Sequence, residues 1–177
     1  MKLSFKQPLT RFSVVALLLY IFWYLLYELW LHPQGWLDRA IIDNLILISG
    51  GALRFIGFNL IPDSFDESIR TIGIDGTHGL WVGDPCNGIT LFSLFTGFVI
   101  AYPGPIKKKL WFIPLGLVTI HLLNVIRIMA LTMIVYYFPD PAILDFNHTY
   151  TFTILVYSYV FLLWYIWANK LSEVSSS

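Results

Sequence analysis

Four stretches of this 177-residue chain, residues 12–31, 86–102, 110–138 and 149–167, run almost without charge for the length of a bilayer crossing. In lipid such a run must satisfy its own backbone polar groups, and a single segment does so only as a helix. With 57% hydrophobic and only 12% charged residues, the chain has too little polar surface to cover a water-soluble globule. The sequence therefore predicts an all-α integral membrane protein with about four transmembrane helices, forming one membrane domain over residues 1–177. The formal charge of zero conceals an ordered arrangement, because Lys2, Lys6, Arg11, Lys107, Lys108, Lys109 and Lys170 all flank hydrophobic runs. Basic residues of this kind mark the cytoplasmic side and give topology, not a nucleic-acid site.

Residues 12–31 follow three of those basic residues, so the first helix is expected to start in the cytoplasm. Bulky Phe22, Trp23, Tyr24, Tyr27 and Trp30 stand where a signal peptide needs small residues, which makes this segment a retained anchor. Residues 41–61 are also apolar, but Arg39, Asp43, Gly50 and Arg54 recur at helical spacing along one face. A spanning helix here would put the N-terminus and Lys107–Lys109 on opposite sides, so a non-spanning interfacial or re-entrant helix at the outer surface is expected. Residues 62–85 read as an extracytoplasmic loop with a small hairpin, strands at 69–74 and 80–82 around Asp75-Gly76. Residues 86–102 then descend to the Pro103-Gly104-Pro105 turn, 110–138 return outward, 139–147 form a short outer loop, and 149–167 descend to the cytoplasmic tail at 170–177. No internal repeat or pair of broken helices supports a channel or transporter.

The chemistry centres on Asp84-Pro85-Cys86-Asn87-Gly88-Ile89, which holds the single cysteine of the chain at the entrance to a hydrophobic run. One cysteine excludes an internal disulfide. A lone cysteine is often only a small buried apolar residue, but a helix starting near Cys86 would favour its thiolate, and Gly88 would allow close backbone approach. Arg127 lies inside the run 110–138, where a cation is costly and usually faces protein or a cavity. Asn124 precedes it by three residues and His121 by six, on roughly the same face. Once the lysines fix the cytoplasm, His148 falls on the same outer side as Cys86. A cysteine, a histidine and an arginine so placed suit nucleophile, base and oxyanion donor. The bland alternative is a structural arginine and an interfacial histidine in a non-catalytic membrane scaffold or lipid-binding protein. Metalloprotease and aspartyl-protease readings fail: there is no HExxH motif, His32, His78, His121 and His148 are scattered, and no two spanning helices share an aspartate pair. No metal or cofactor is expected.

Cys86-Asn87-Gly88-Ile89 before one span, Asn124-x-x-Arg127 within the next, and His148 before the last together resemble the exosortase/archaeosortase family of membrane-embedded cysteine transpeptidases. The resemblance covers roughly residues 69–167, and the short chain resembles compact bacterial members of the exosortase X type. It implies that Cys86 is the nucleophile, Arg127 the transition-state stabiliser and His148 the acid/base, with Asn87, Gly88 and Asn124 in support. It also implies membrane-anchored substrate proteins carrying a C-terminal sorting signal, an amine or a lipid or glycan as acceptor, and a site on the extracytoplasmic side of the cytoplasmic membrane. The family commonly has serine after the cysteine, whereas this chain has Asn87.

Overall fold

The computed structural model describes residues 8–62 and 70–172, and within them the backbone is helical apart from one small hairpin and its loops. Helix α1 (Pro8–Leu26) continues through a π-helical turn at Tyr27–Leu31 into the short α2 (His32–Gln34). Gly35, with φ +66, breaks the run and starts α3 (Trp36–Phe55). Strands β1 (Thr71–Ile72) and β2 (Leu80–Trp81) pair antiparallel, with Thr71 opposite Trp81 and Ile72 opposite Leu80. Then come α4 (Ile89–Ala101), α5 (Ile106–Tyr137), α6 (Pro141–Phe146) and α7 (Phe152–Ile166).

Three continuous helices, Thr10–Gln34, Ile106–Tyr137 and Pro141–Leu171, are long and apolar enough to cross a membrane. This is an all-α integral membrane protein. Its fourth apolar run is shorter than the expected 86–102: α4 keeps 13 residues, about 20 Å of helix against a hydrocarbon core of about 30 Å. Residues 86–88 are taken up in the turn that precedes it. The expected loop at 139–147 is also replaced. Asp140 accepts a hydrogen bond from the Ala142 N–H at 2.9 Å and Pro141 follows at the first helical position, so the last helix begins there and not at residue 149.

The described residues divide into two compact units. The first holds α1, α2, α4, the early part of α5 and the later part of α7. Its core is Phe95, Val99, Phe112, Ile120, Val160, Leu163 and Trp167, with Phe98 stacked on Trp164 at 4.5 Å. The aromatic residues of the last run are therefore divided, Trp167 being fully buried while Phe161 and Tyr165 are exposed. Lipid tails are as apolar as these side chains, so close packing and not water exclusion holds such helices together. Gly116 illustrates it: a Cβ there would fall 2.1 Å from the Phe95 ring. Lys109 Nζ donates at 2.8 Å to the carbonyls of Ile100 and Tyr102, satisfying groups left open at the end of α4.

The second unit holds α3, the hairpin, the turn at 84–88, the remainder of α5, α6 and the start of α7. Helix α3 buries Asp38, Ile42, Leu45, Ser49 and Leu53, a stripe at spacings of four, three, four and four. Gly50, expected on the polar face with Arg39, Asp43 and Arg54, lies in the packed face instead, where a Cβ would stand 3.2 Å from Leu60. Ser49 Oγ donates to the Val125 carbonyl at 3.4 Å, and Asn44 Oδ1 and His121 Nε2 lie 2.8 Å apart, tying α3 to α5. The hairpin turns at Asp75-Gly76 as expected, and its inner side chains Ile72, Leu80 and Val82 join the core formed with Ile42, Leu53, Ile128 and Leu131. Ile69, placed in the first strand by the sequence, lies outside the described residues.

Candidate active site

Cys86 is 7% exposed and closes a 3-10 turn, Asp84–Cys86, which Pro85 starts and the Arg70–Asp84 ion pair holds. The expected helix beginning at Cys86 is absent. Gly88 adopts φ +79, a left-handed conformation that costs other residues about 1–2 kcal/mol, and only after it does α4 begin. The glycine thus serves backbone direction. Cys86 also packs in the apolar core of its unit, so burial and chemistry coincide at one residue.

Across the site, Cys86 Sγ and His148 Nε2 are 3.4 Å apart. His148 reaches this position from the π-helical turn Asn147–Thr151, about two turns inside the last helix and not at its start. Such turns insert one extra residue into a helix and are frequent at functional sites. Asn124, 2% exposed, donates from Nδ2 to the Cys86 carbonyl at 2.6 Å. Arg127, one turn along α5, is half-buried, and its Nε is buried without a hydrogen-bond partner among the described residues. His121 does not join this group, since it pairs with Asn44.

Burial pushes the Cys86 thiol up from its ordinary pKa. The Arg127 charge and a backbone hydrogen bond from Gly83 pull it down, but burial prevails. Cys86 also stands outside the first turn of α4, which starts three residues beyond it. Burial thus favours the thiol over the thiolate, and nucleophilic chemistry at this sulfur would call for a base within reach to take its proton. The peptide N–H of Cys86 donates to the Gly83 carbonyl at 2.9 Å and that of Asn87 to the Asp84 carbonyl at 3.1 Å. Neither is free to receive an oxyanion, and Arg127 is the cation whose charge reaches the thiol.

A family model described as transmembrane exosortase matches residues 3–166. The chain belongs to the transmembrane exosortases. Within this exosortase the match takes in α1 and α3 as well as the stretch from residue 69 onward on which the sequence resemblance rested. Family membership points to the sorting of membrane proteins by transpeptidation. No match was found among curated proteins or among solved structures.

One buried carboxylate bonded to this turn of the exosortase was missed by sequence reasoning. Asp38, 1% exposed in the first turn of α3, accepts a hydrogen bond from Asn87 Nδ2. The signal was a carboxylate on the stripe of Ile42, Leu45 and Leu53, a face that otherwise carries small or apolar residues.

Proposed function

We propose that this exosortase is a membrane-embedded cysteine transpeptidase that cleaves the C-terminal sorting signal of exported, membrane-anchored proteins and passes the new carboxyl end to an acceptor. The site faces the extracytoplasmic side of the cytoplasmic membrane. The observation that carries the reading is the 3.4 Å approach of Cys86 Sγ to His148 Nε2, beside a buried arginine Nε left unpartnered among the described residues.

In the first half-reaction His148 Nε2 takes the thiol proton as Sγ bonds to the scissile carbonyl carbon, and the carbonyl π pair moves onto oxygen next to the Arg127 guanidinium. When the tetrahedral species collapses, the C–N bond breaks and the imidazolium gives its proton to the leaving amine. A thioester remains on Cys86. In the second half-reaction an amine acceptor, or water, gives a proton to His148 and attacks the thioester carbonyl. The C–S bond then breaks and the sulfur recovers its proton from His148. Asn124 Nδ2 holds the backbone carbonyl of Cys86 throughout.

The test is co-expression of Cys86→Ala with a candidate substrate and mass spectrometry of the substrate's new C-terminus. Loss of processing with normal membrane accumulation supports the enzyme. Unchanged processing overturns it in favour of a non-catalytic membrane scaffold or lipid-binding protein.

A further inference from the structure

We propose that Asp38 is a positioning residue for the nucleophile, acting through Asn87. This deepens the transpeptidase reading and rests on it for its effect on turnover.

A carboxylate in an apolar core is costly unless its oxygens are satisfied. Asp38 is 1% exposed at the start of the buried stripe of α3 that continues through Ile42, Leu45 and Leu53. Its place in the first turn of α3 offsets part of the cost, because the helix N-terminus favours negative charge. The remainder is met by a specific partner. Asn87, itself 4% exposed and 49 residues away in sequence, turns its side-chain amide to Asp38.

The consequence falls on Cys86. Its own N–H and that of Asn87 are bonded within the turn, and its carbonyl is held by Asn124. Next in the chain stands Gly88 at φ +79, a residue that populates many backbone conformations with little penalty. The turn is thus firmly held on its N-terminal side and followed by a permissive joint. The Asp38–Asn87 hydrogen bond closes that joint and fixes the direction in which Sγ meets His148. It also gives a role to the asparagine that stands where the family commonly has serine: an amide reaches and donates where the carboxylate can only accept.

The experiment uses the full-length protein in detergent, whose single cysteine allows iodoacetamide alkylation to report on Cys86 alone. In the wild type, adding His148→Ala should slow alkylation, because the base is lost. In Asp38→Ala the same addition should change little, because Sγ no longer faces the imidazole. Asp38→Ala should also lower kcat by about 10- to 100-fold with KM held within about twofold, as expected for a group displaced by about an ångström. Asp38→Asn keeps an acceptor oxygen in place and should restore most of both effects. Should Asp38→Ala fail to accumulate, Asn87→Ala breaks the same bond from the turn and should give the same two results. The proposal falls if Asp38→Ala or Asn87→Ala lowers the melting temperature yet leaves kcat per folded molecule and the His148 dependence of alkylation intact, or if Asp38→Asn is as deficient as Asp38→Ala. Alkylation needs no substrate, so its outcome stands even if Cys86→Ala leaves processing unchanged and the transpeptidase reading fails.

Discussion

Arg127→Lys separates catalysis from scaffolding at this site. The amides of Cys86 and Asn87 are occupied at 2.9 and 3.1 Å inside their own turn, so neither is open to an oxyanion. In the proposed mechanism the developing charge falls to Arg127, whose buried Nε has no partner among the described residues to lose. Lysine keeps the charge but loses the planar fork of donors. Removal of one oxyanion donor costs about 10²–10³ in kcat, or about 2.7–4 kcal/mol. With the Cys86 and Asn87 amides already bonded, Arg127→Lys is expected to lower turnover by about 10³, the upper end of that range.

The expected stability change runs the other way. Breaking a buried ion pair costs about 3–5 kcal/mol because the abandoned charge stays buried. Arg127 makes no ion pair among the described residues, so its substitution strands no carboxylate there. The assay is substrate processing per folded molecule, read beside the melting temperature of the detergent-solubilised protein. A variant that melts much earlier but turns over at a near-normal rate would refute the oxyanion role and leave Arg127 as a structural cation.

Three further outcomes follow from the same geometry. Alkylation of Cys86 should have its pH midpoint above that of a free cysteine, about 8.5, because burial raises the thiol, and Arg127→Gln should move it higher still by removing a charge that lowers it; a midpoint below the free value would sink the assignment of a resting thiol. Asn124→Ala leaves the Cys86 carbonyl without its 2.6 Å donor inside the core, which should cost about 1–3 kcal/mol of stability together with a loss of turnover; an unchanged melting temperature would show that the carbonyl finds another donor. In a Cys86→Ala background, a cysteine at the exposed turn residue Asp75 should react with an impermeant maleimide in intact spheroplasts and one at Lys108 only after lysis; the reverse pattern inverts the topology.

The helical, lipid-facing character of the chain was legible because charge-free runs admit few other solutions in a bilayer. Cys86, Asn124, Arg127 and His148 were legible because each is a polar or reactive side chain at a place where apolar residues are the rule. What escaped was decided by local geometry. Asp140-Pro141 is a helix cap followed by a first-turn proline, yet beside Pro139 it reads as a loop, so the last helix was begun eight residues late. The π-helical turn around His148 depends on an inserted residue that no spacing rule marks. Gly88 reads as a place of close approach, whereas its φ of +79 shows a change of chain direction, and that change removes Cys86 from the helix N-terminus. Asp38 went unnoticed because the helix was expected over residues 41–61, whereas α3 begins at Trp36 and takes Asp38 into its buried first turn.

That displacement of Cys86 from the helix N-terminus alters how the nucleophile can be controlled. A thiolate stabilised by a helix end is reactive at all times, and the thiolate is also the form that oxidants attack. Here burial raises the pKa of the thiol, while the Arg127 charge and the Gly83 backbone offset part of that rise. In the proposed reaction ionisation falls to His148, whose Nε2 lies 3.4 Å from the sulfur, and the negative charge passes on to a carbonyl oxygen when a substrate is attacked. The same guanidinium can follow that charge from one atom to the other, favouring the thiolate before attack and the oxyanion after it. On the proposed mechanism the sulfur thus spends its resting time in the form less open to oxidation, in a chain whose single cysteine has no second thiol beside it.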